Sequence, residues 1–143
     1  MIAYADTSYL VAYFDPKAAQ TAVVHRFARE KNWDYFWNPL LRAEVRHNLR
    51  RIVAESQRTT AWNAYRAVEK WGVRLVPQTF RFESVLDRTD TLSAAAKGQS
   101  AAGTWDFAHI AAAEAADASR FLTCDEAQAK AAKEAGLSVI YLG

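Results

Sequence analysis

The sequence predicts a single α/β domain: a central parallel sheet of about five strands flanked by helices, with a helical hairpin insertion. Three observations carry this. Short apolar runs alternate with helical patterns from one end of the chain to the other, the order that builds a parallel sheet covered by helices. The length, 143 residues, suits one domain and is enough to bury a sizeable core without a disulfide or metal. The composition, 51% apolar and 13% aromatic with a net charge of +2, excludes a disordered chain.

Each element follows in turn. Residues 2–5 (Ile-Ala-Tyr-Ala) are a buried strand ending at Asp6, and Thr7-Ser8 open a helix running to Phe14. Asp15-Pro16 breaks that helix, and a second begins near Ala18 with Val23, Val24 and Phe27 on one face. Residues 34–37 (Asp-Tyr-Phe-Trp) form a strand closed by Asn38-Pro39. Two long helical patterns occupy residues 40–55 and 58–71, and Gly72 ends the second. Residues 73–77 read as a third strand, 82–95 as a helix, and Gly98, Ser100 and Gly103 as a loop. A helix over 105–117, a strand over 120–123, a helix over 126–135 stopped by Gly136, and a strand over 138–142 complete the chain.

Several classes are excluded early. One cysteine, Cys124, rules out a disulfide framework and any cysteine-rich zinc site, and it reads as a small buried hydrophobe. No apolar run approaches the 18 residues of a membrane span, and no basic stretch precedes a hydrophobic leader, so a soluble, cytoplasmic protein is expected. Charge is unevenly spread. Residues 26–88 carry 13 Lys and Arg against 7 Asp and Glu, while residues 89–143 carry 4 against 7. Solvated helix faces explain most of this asymmetry.

The acids are more informative. In open parallel sheets, ligands bind beyond the C-terminal ends of the strands, where the strand order reverses. Asp6 ends the first strand, Asp125 ends the fourth, and Asp106 lies in the first turn of the helix that leads into the fourth. Each has a purely structural use available. Asp6 and Asp125 can cap helices, Asp125 with Gln128 resembles a capping box, and Asp106 favours a helix dipole. Acids at both strand ends with a third nearby are more than capping requires. A fourth, Glu44, flanks the apolar stripe Leu41, Val45, Leu49 and Ile52 beside Asn48, with Arg42, Arg46 and Arg50 on the other flank.

If the first and fourth strands are neighbours, these carboxylates converge. Clustered carboxylates cannot all stay ionised without compensating positive charge. Oxygen donors without Cys or His suit Mg²⁺ or Mn²⁺ rather than Zn²⁺, and such ions activate water towards a phosphodiester. Phosphodiester hydrolysis is the natural chemistry.

The chain resembles the PIN-domain family, in particular the VapC-type toxin ribonucleases of type II toxin–antitoxin systems. The likeness rests on "IAYADTSYL" (2–10), "RAEVRHNLRR" (42–51) and "TWDFAHIAAAEAADASRFLTCDEAQAKAAKEAGLSVI" (104–140), in that order, with 19 residues from Asp106 to Asp125. It implies an acidic quartet of Asp6, Glu44, Asp106 and Asp125. Asp6, Asp106 and Asp125 are then the main ligands of Mg²⁺ or Mn²⁺, and Glu44 positions water or a second ion. Ser8 and Thr123 fall where the family has supporting hydroxyls, and His109 matches a position often held by His, read here as a satisfied core or helix-face residue.

On this resemblance the activity is endoribonucleolytic. Arg42, Arg46, Arg50 and Arg51 are expected to hold the RNA backbone. The partners are a VapB-type antitoxin and a second copy of the chain, with groove residues from Trp62, Tyr65, Trp71 and the helix of residues 17–30. Two alternatives stay open: an idle PIN-like RNA- or protein-binding module, and a receiver-like phospho-acceptor domain. The receiver reading is weakened because a single acid follows the first strand and the third ends in Val76-Pro77.

Overall fold

A computed structural model describes residues 1–56, 59–72 and 74–143. In chain order its elements are β1 (Ile2–Ala5), α1 (Thr7–Phe14), α2 (Thr21–Lys31), β2 (Asp34–Trp37), α3 (Pro39–Ser56) and α4 (Thr59–Trp71). β3 (Leu75–Pro77), α5 (Phe82–Ala95), α6 (Thr104–Ala115), β4 (Phe121–Thr123), α7 (Glu126–Glu134) and β5 (Val139–Tyr141) follow. The strands form one parallel sheet in the order β3-β2-β1-β4-β5. The first strand is therefore central, and it pairs with β4 in the register Tyr4–Phe121 and Ala5–Leu122.

Burial explains the arrangement. Ala3, Tyr4 and Ala5 are wholly buried, as a strand covered on both faces demands. Helices α1 to α4 pack on one another, and α5, α6 and α7 form a second packed group. The stripe foreseen on α3 is the core face, since Leu41, Val45 and Leu49 have no exposed surface. Truncating one such leucine to alanine costs about 2–5 kcal/mol. The alanines of α6 (Ala108, Ala111, Ala112 and Ala113) are buried as well, and their small side chains permit close packing. Among the described residues, no helix is long and apolar enough to cross a membrane.

Several boundaries and one contact differ from expectation, the following with a visible cause. Helix α2 starts at Thr21, because Thr21 Oγ1 donates to the carbonyls of Ala12 (3.0 Å) and Asp15 (2.5 Å) and closes the preceding turn. β3 starts at Leu75, because Arg74 sits at φ +62°, outside any strand conformation. α6 ends at Ala115, where Asp117 turns left-handed at φ +49°. α3 begins one residue early with Pro39, whose missing N–H is no loss in a first turn. Val73 and Arg58, assigned above to a strand and a helix, lie outside the described residues. Tyr65 is not a groove residue. It is fully buried against Phe14 and Trp37, and its hydroxyl bonds Glu69 at 2.6 Å. Trp71 is the exposed aromatic of the hairpin, 72% accessible, with the Lys70 ammonium 5.1 Å from its ring.

Candidate active site

The pairing of β1 with β4 sets the site. Asp6, one residue past β1, donates its N–H to Leu122 O at 3.0 Å, which brings it beside Thr123. Its carboxylate then takes three donors: Tyr9 N–H (3.0 Å) and Ser8 Oγ (2.7 Å) at Oδ1, and Thr123 Oγ1 (2.6 Å) at Oδ2. The two hydroxyls also accept, Ser8 from Cys124 N–H at 2.8 Å and Thr123 from Asp125 N–H at 2.9 Å. The two strand ends are thus stitched into one rigid edge around Asp6.

Capping and clustering hold together. Asp6 caps α1, Asp125 Oδ1 caps α7 through Gln128 N–H at 2.8 Å, and Asp106 Oδ2 accepts Gly103 N–H at 2.7 Å. The expected capping box at Asp125 is only half formed. The Gln128 side chain turns away and donates to the Asp106 carbonyl at 3.0 Å, tying the first turns of α6 and α7 together. Despite their caps, Asp6, Asp106 and Asp125 line a single pocket of about 290 Å³ with Glu44, Asn48 and Ser8. The sequence foresaw those acids individually, and the fold brings all four to one wall.

Two further residues belong there. Glu44 Oε2 accepts from Thr7 Oγ1 and from His109 Nε2, each at 2.5 Å. His109 is buried and satisfied, as the sequence suggested, but its partner is the site glutamate; its other nitrogen meets the Tyr4 hydroxyl at 2.9 Å. The available signal was its position one turn after Asp106 on the same helix face. Thr7 went unnoticed because it lies between two more conspicuous residues. Asn48 supports Glu44 through the backbone, donating to its carbonyl at 2.9 Å.

The arginines of α3 divide. Arg42, Arg50 and Arg51 are exposed, with Arg50 stacked 5.3 Å over Trp62. Arg46 is committed to the hairpin instead, pairing with Glu69 at 2.7 Å and donating to Tyr65 at 2.9 Å.

Charge in the pocket is one-sided, since among the described residues no Lys or Arg lines it. Burial pushes the Asp6 carboxyl above its ordinary value, outweighing the donors from Thr123, Tyr9 and Ser8. Asp106 is also raised, by burial first and then by the neighbouring charges of Asp125 and Glu44. Glu44 moves the other way: burial opposes ionisation, but His109, Thr7 and the more distant His47 together outweigh it. Burial and the Asp6 charge push the Cys124 thiol up to about 12, so it is inert at neutral pH.

Crowded, partly desolvated carboxylates with oxygen neighbours are the donor set of a hard divalent cation. Among the described residues, no three His, Cys, Asp or Glu side chains stand close enough together in this structure to form a metal-holding group. The fit to Mg²⁺ or Mn²⁺ rests on the oxygen donors of Asp6, Asp106 and Asp125 lining one pocket.

Comparison with known proteins adds the following. The family model for the PIN domain matches residues 3–134. No curated protein matches the chain significantly in sequence. Among solved structures, the chain is similar to Mycobacterium tuberculosis VapC20, described as a sarcin–ricin loop cleaving toxin, with a TM-score of 0.72 and 13% identity over 99% of both chains. It is also similar to VapBC2 of Rickettsia felis, solved with a DNA fragment from the promoter, with a TM-score of 0.65 and 15% identity over the whole of both chains. At these identities the likeness establishes the fold.

Proposed function

Because the chain belongs to the PIN-domain family, we propose that it is a Mg²⁺- or Mn²⁺-dependent endoribonuclease acting as the toxin of a type II toxin–antitoxin pair. The observation that carries this is the single pocket lined by Asp6, Glu44, Asp106 and Asp125, with no Lys or Arg lining it among the described residues. A divalent ion bound there supplies Lewis-acid chemistry, acidifying water and neutralising charge that builds on a phosphodiester. Asp6, Asp106 and Asp125 would hold the ion. Ser8 and Thr123 fix the Asp6 carboxylate by donating to its two oxygens. Glu44, held below its ordinary pKa, is ionised at neutral pH and orients the attacking water. Exposed Arg42, Arg50 and Arg51 on α3 position the phosphate backbone without reading sequence.

RNA as substrate and a VapB-type antitoxin as partner are supported by the neighbours, one described as a sarcin–ricin loop cleaving toxin and the other as VapBC2. An antitoxin that places a guanidinium or ammonium among these carboxylates would neutralise their charge. A homodimer in the cytoplasm completes the reading.

The test is cleavage of a structured RNA with Mn²⁺ or Mg²⁺ by the wild type and Asp6→Asn. Loss of cleavage in the variant is expected, and equal activity in both sinks the mechanism. An idle binding module is distinguished by tight Mn²⁺ binding without turnover. The receiver-like alternative has a further obstacle: β3, which would need to carry the acceptor aspartate, is an edge strand ending in Pro77.

A further inference from the structure

The bonds leading away from Glu44 form a buried relay whose proton directions are fixed by backbone groups. Gln78 Nε2 donates to the carbonyl of Ala112 at 2.8 Å, so Gln78 Oε1 is the atom facing Asn38. Asn38 Oδ1 accepts the Leu41 N–H at 2.9 Å, so its amide nitrogen is what reaches Gln78 Oε1 (2.9 Å) and the Tyr4 hydroxyl (3.2 Å). Both amide orientations are thereby settled by partners that can only donate or only accept. Since Asn38 donates to the Tyr4 oxygen, the Tyr4 proton points to His109 Nδ1, 2.9 Å away. Nδ1 is then an acceptor, and the proton of the neutral imidazole resides on Nε2, aimed at Glu44 Oε2. Tyr4, Asn38, Gln78 and His109 are all buried. Thr7 and His109 both engage Oε2 of Glu44, whose side chain lines the pocket.

We propose that His109 is a positioning residue of the nuclease: locked as the Nε2–H tautomer by the Tyr4–Asn38–Gln78 relay, it aims the Glu44 carboxylate into the pocket. This role rests on the nuclease reading given above; the tautomer does not.

Two measurements test it on the full chain. The two-bond ¹H–¹⁵N spectrum of the imidazole should show Nε2 protonated and Nδ1 pyridine-like, and Tyr4→Phe should shift the Nδ1 resonance by removing its donor. Protonation at Nδ1 in the wild type, or an unmoved Nδ1 in Tyr4→Phe, overturns the relay. In RNA cleavage, His109→Leu should lower kcat about 10–100-fold with KM little changed. His109→Gln, whose amide nitrogen can occupy the place of Nε2, should recover most of it. Equal kcat in the leucine and glutamine variants overturns the positioning role. Should the leucine variant unfold, His109→Asn, with its amide near the Nδ1 position, serves as the loss variant. A wild type that cleaves no RNA overturns the nuclease reading and the role with it, while the imidazole spectrum still decides the relay.

Discussion

Replacing Asp106 with Asn removes a charge that its surroundings resist and keeps an acceptor for the Gly103 N–H. In metal-free protein the variant should melt about 2–4 °C higher, the shift of a roughly 1 kcal/mol change in a chain of this size. The pH dependence gives the sign. Asp6 and Asp106 bind protons more tightly folded than unfolded, so their contribution is fully present below the ordinary carboxylate range of about 4 and is lost as pH rises through their raised folded values. The gain of Asp106→Asn over wild type should therefore grow from pH 4 to pH 7 in urea titrations, and a gain that shrinks contradicts the sign. Glu44 acts oppositely: its contribution is present above that range and is lost as pH falls through its lowered folded value. Added Mn²⁺ should raise the melting point of the wild type more than that of Asp106→Asn, read by calorimetry. At this scale the sequence was informative where chemistry and position coincide. Acids at strand ends announce a crevice. The Glu44–His109 pair did not announce itself, because its members are 65 residues apart and meet only when α3 packs near α6.

Asn38 shows how one residue serves an element and the site together. It caps α3 through Leu41 N–H, with Pro39 at the first helical position, and donates to Tyr4 and Gln78. Asn38→Ala should cost at least the ~2 kcal/mol at the upper end of cap removal, because Tyr4 and Gln78 also lose a buried donor. Asn38→Ser, which keeps the cap oxygen, should recover about 1 kcal/mol by urea unfolding. Recovery to wild-type stability would mean the donors contribute nothing. The elements themselves were legible because their punctuation is local: Asp15-Pro16, Gly72 and Gly136 stop what precedes them. What escaped depends on distant partners. Nothing near Gln128 indicates that its side chain would leave its own helix end for the Asp106 carbonyl. Helical spacing alone likewise cannot tell the buried Tyr65 from the exposed Trp71.

Across the whole molecule, an acidic pocket lies on one wall of the sheet edge while α3 offers exposed arginines. RNA binding should therefore weaken steeply with salt, and Arg42→Ala or Arg51→Ala should each reduce the logarithmic salt slope by about 1. Slopes unchanged in both variants would place the RNA on another surface. The strand order has a consequence for synthesis. β1 is translated well before its neighbour β4, and Asp106 and Asp125 belong to that later portion. A nascent chain ending at Gly103 holds Asp6 and Glu44 without the Thr123 hydroxyl, the His109 imidazole or the other two carboxylates. On the proposed nuclease reading, a chain still being translated cannot yet cleave the RNA of the ribosome making it, and activity begins only when the later portion has folded beside the opening one.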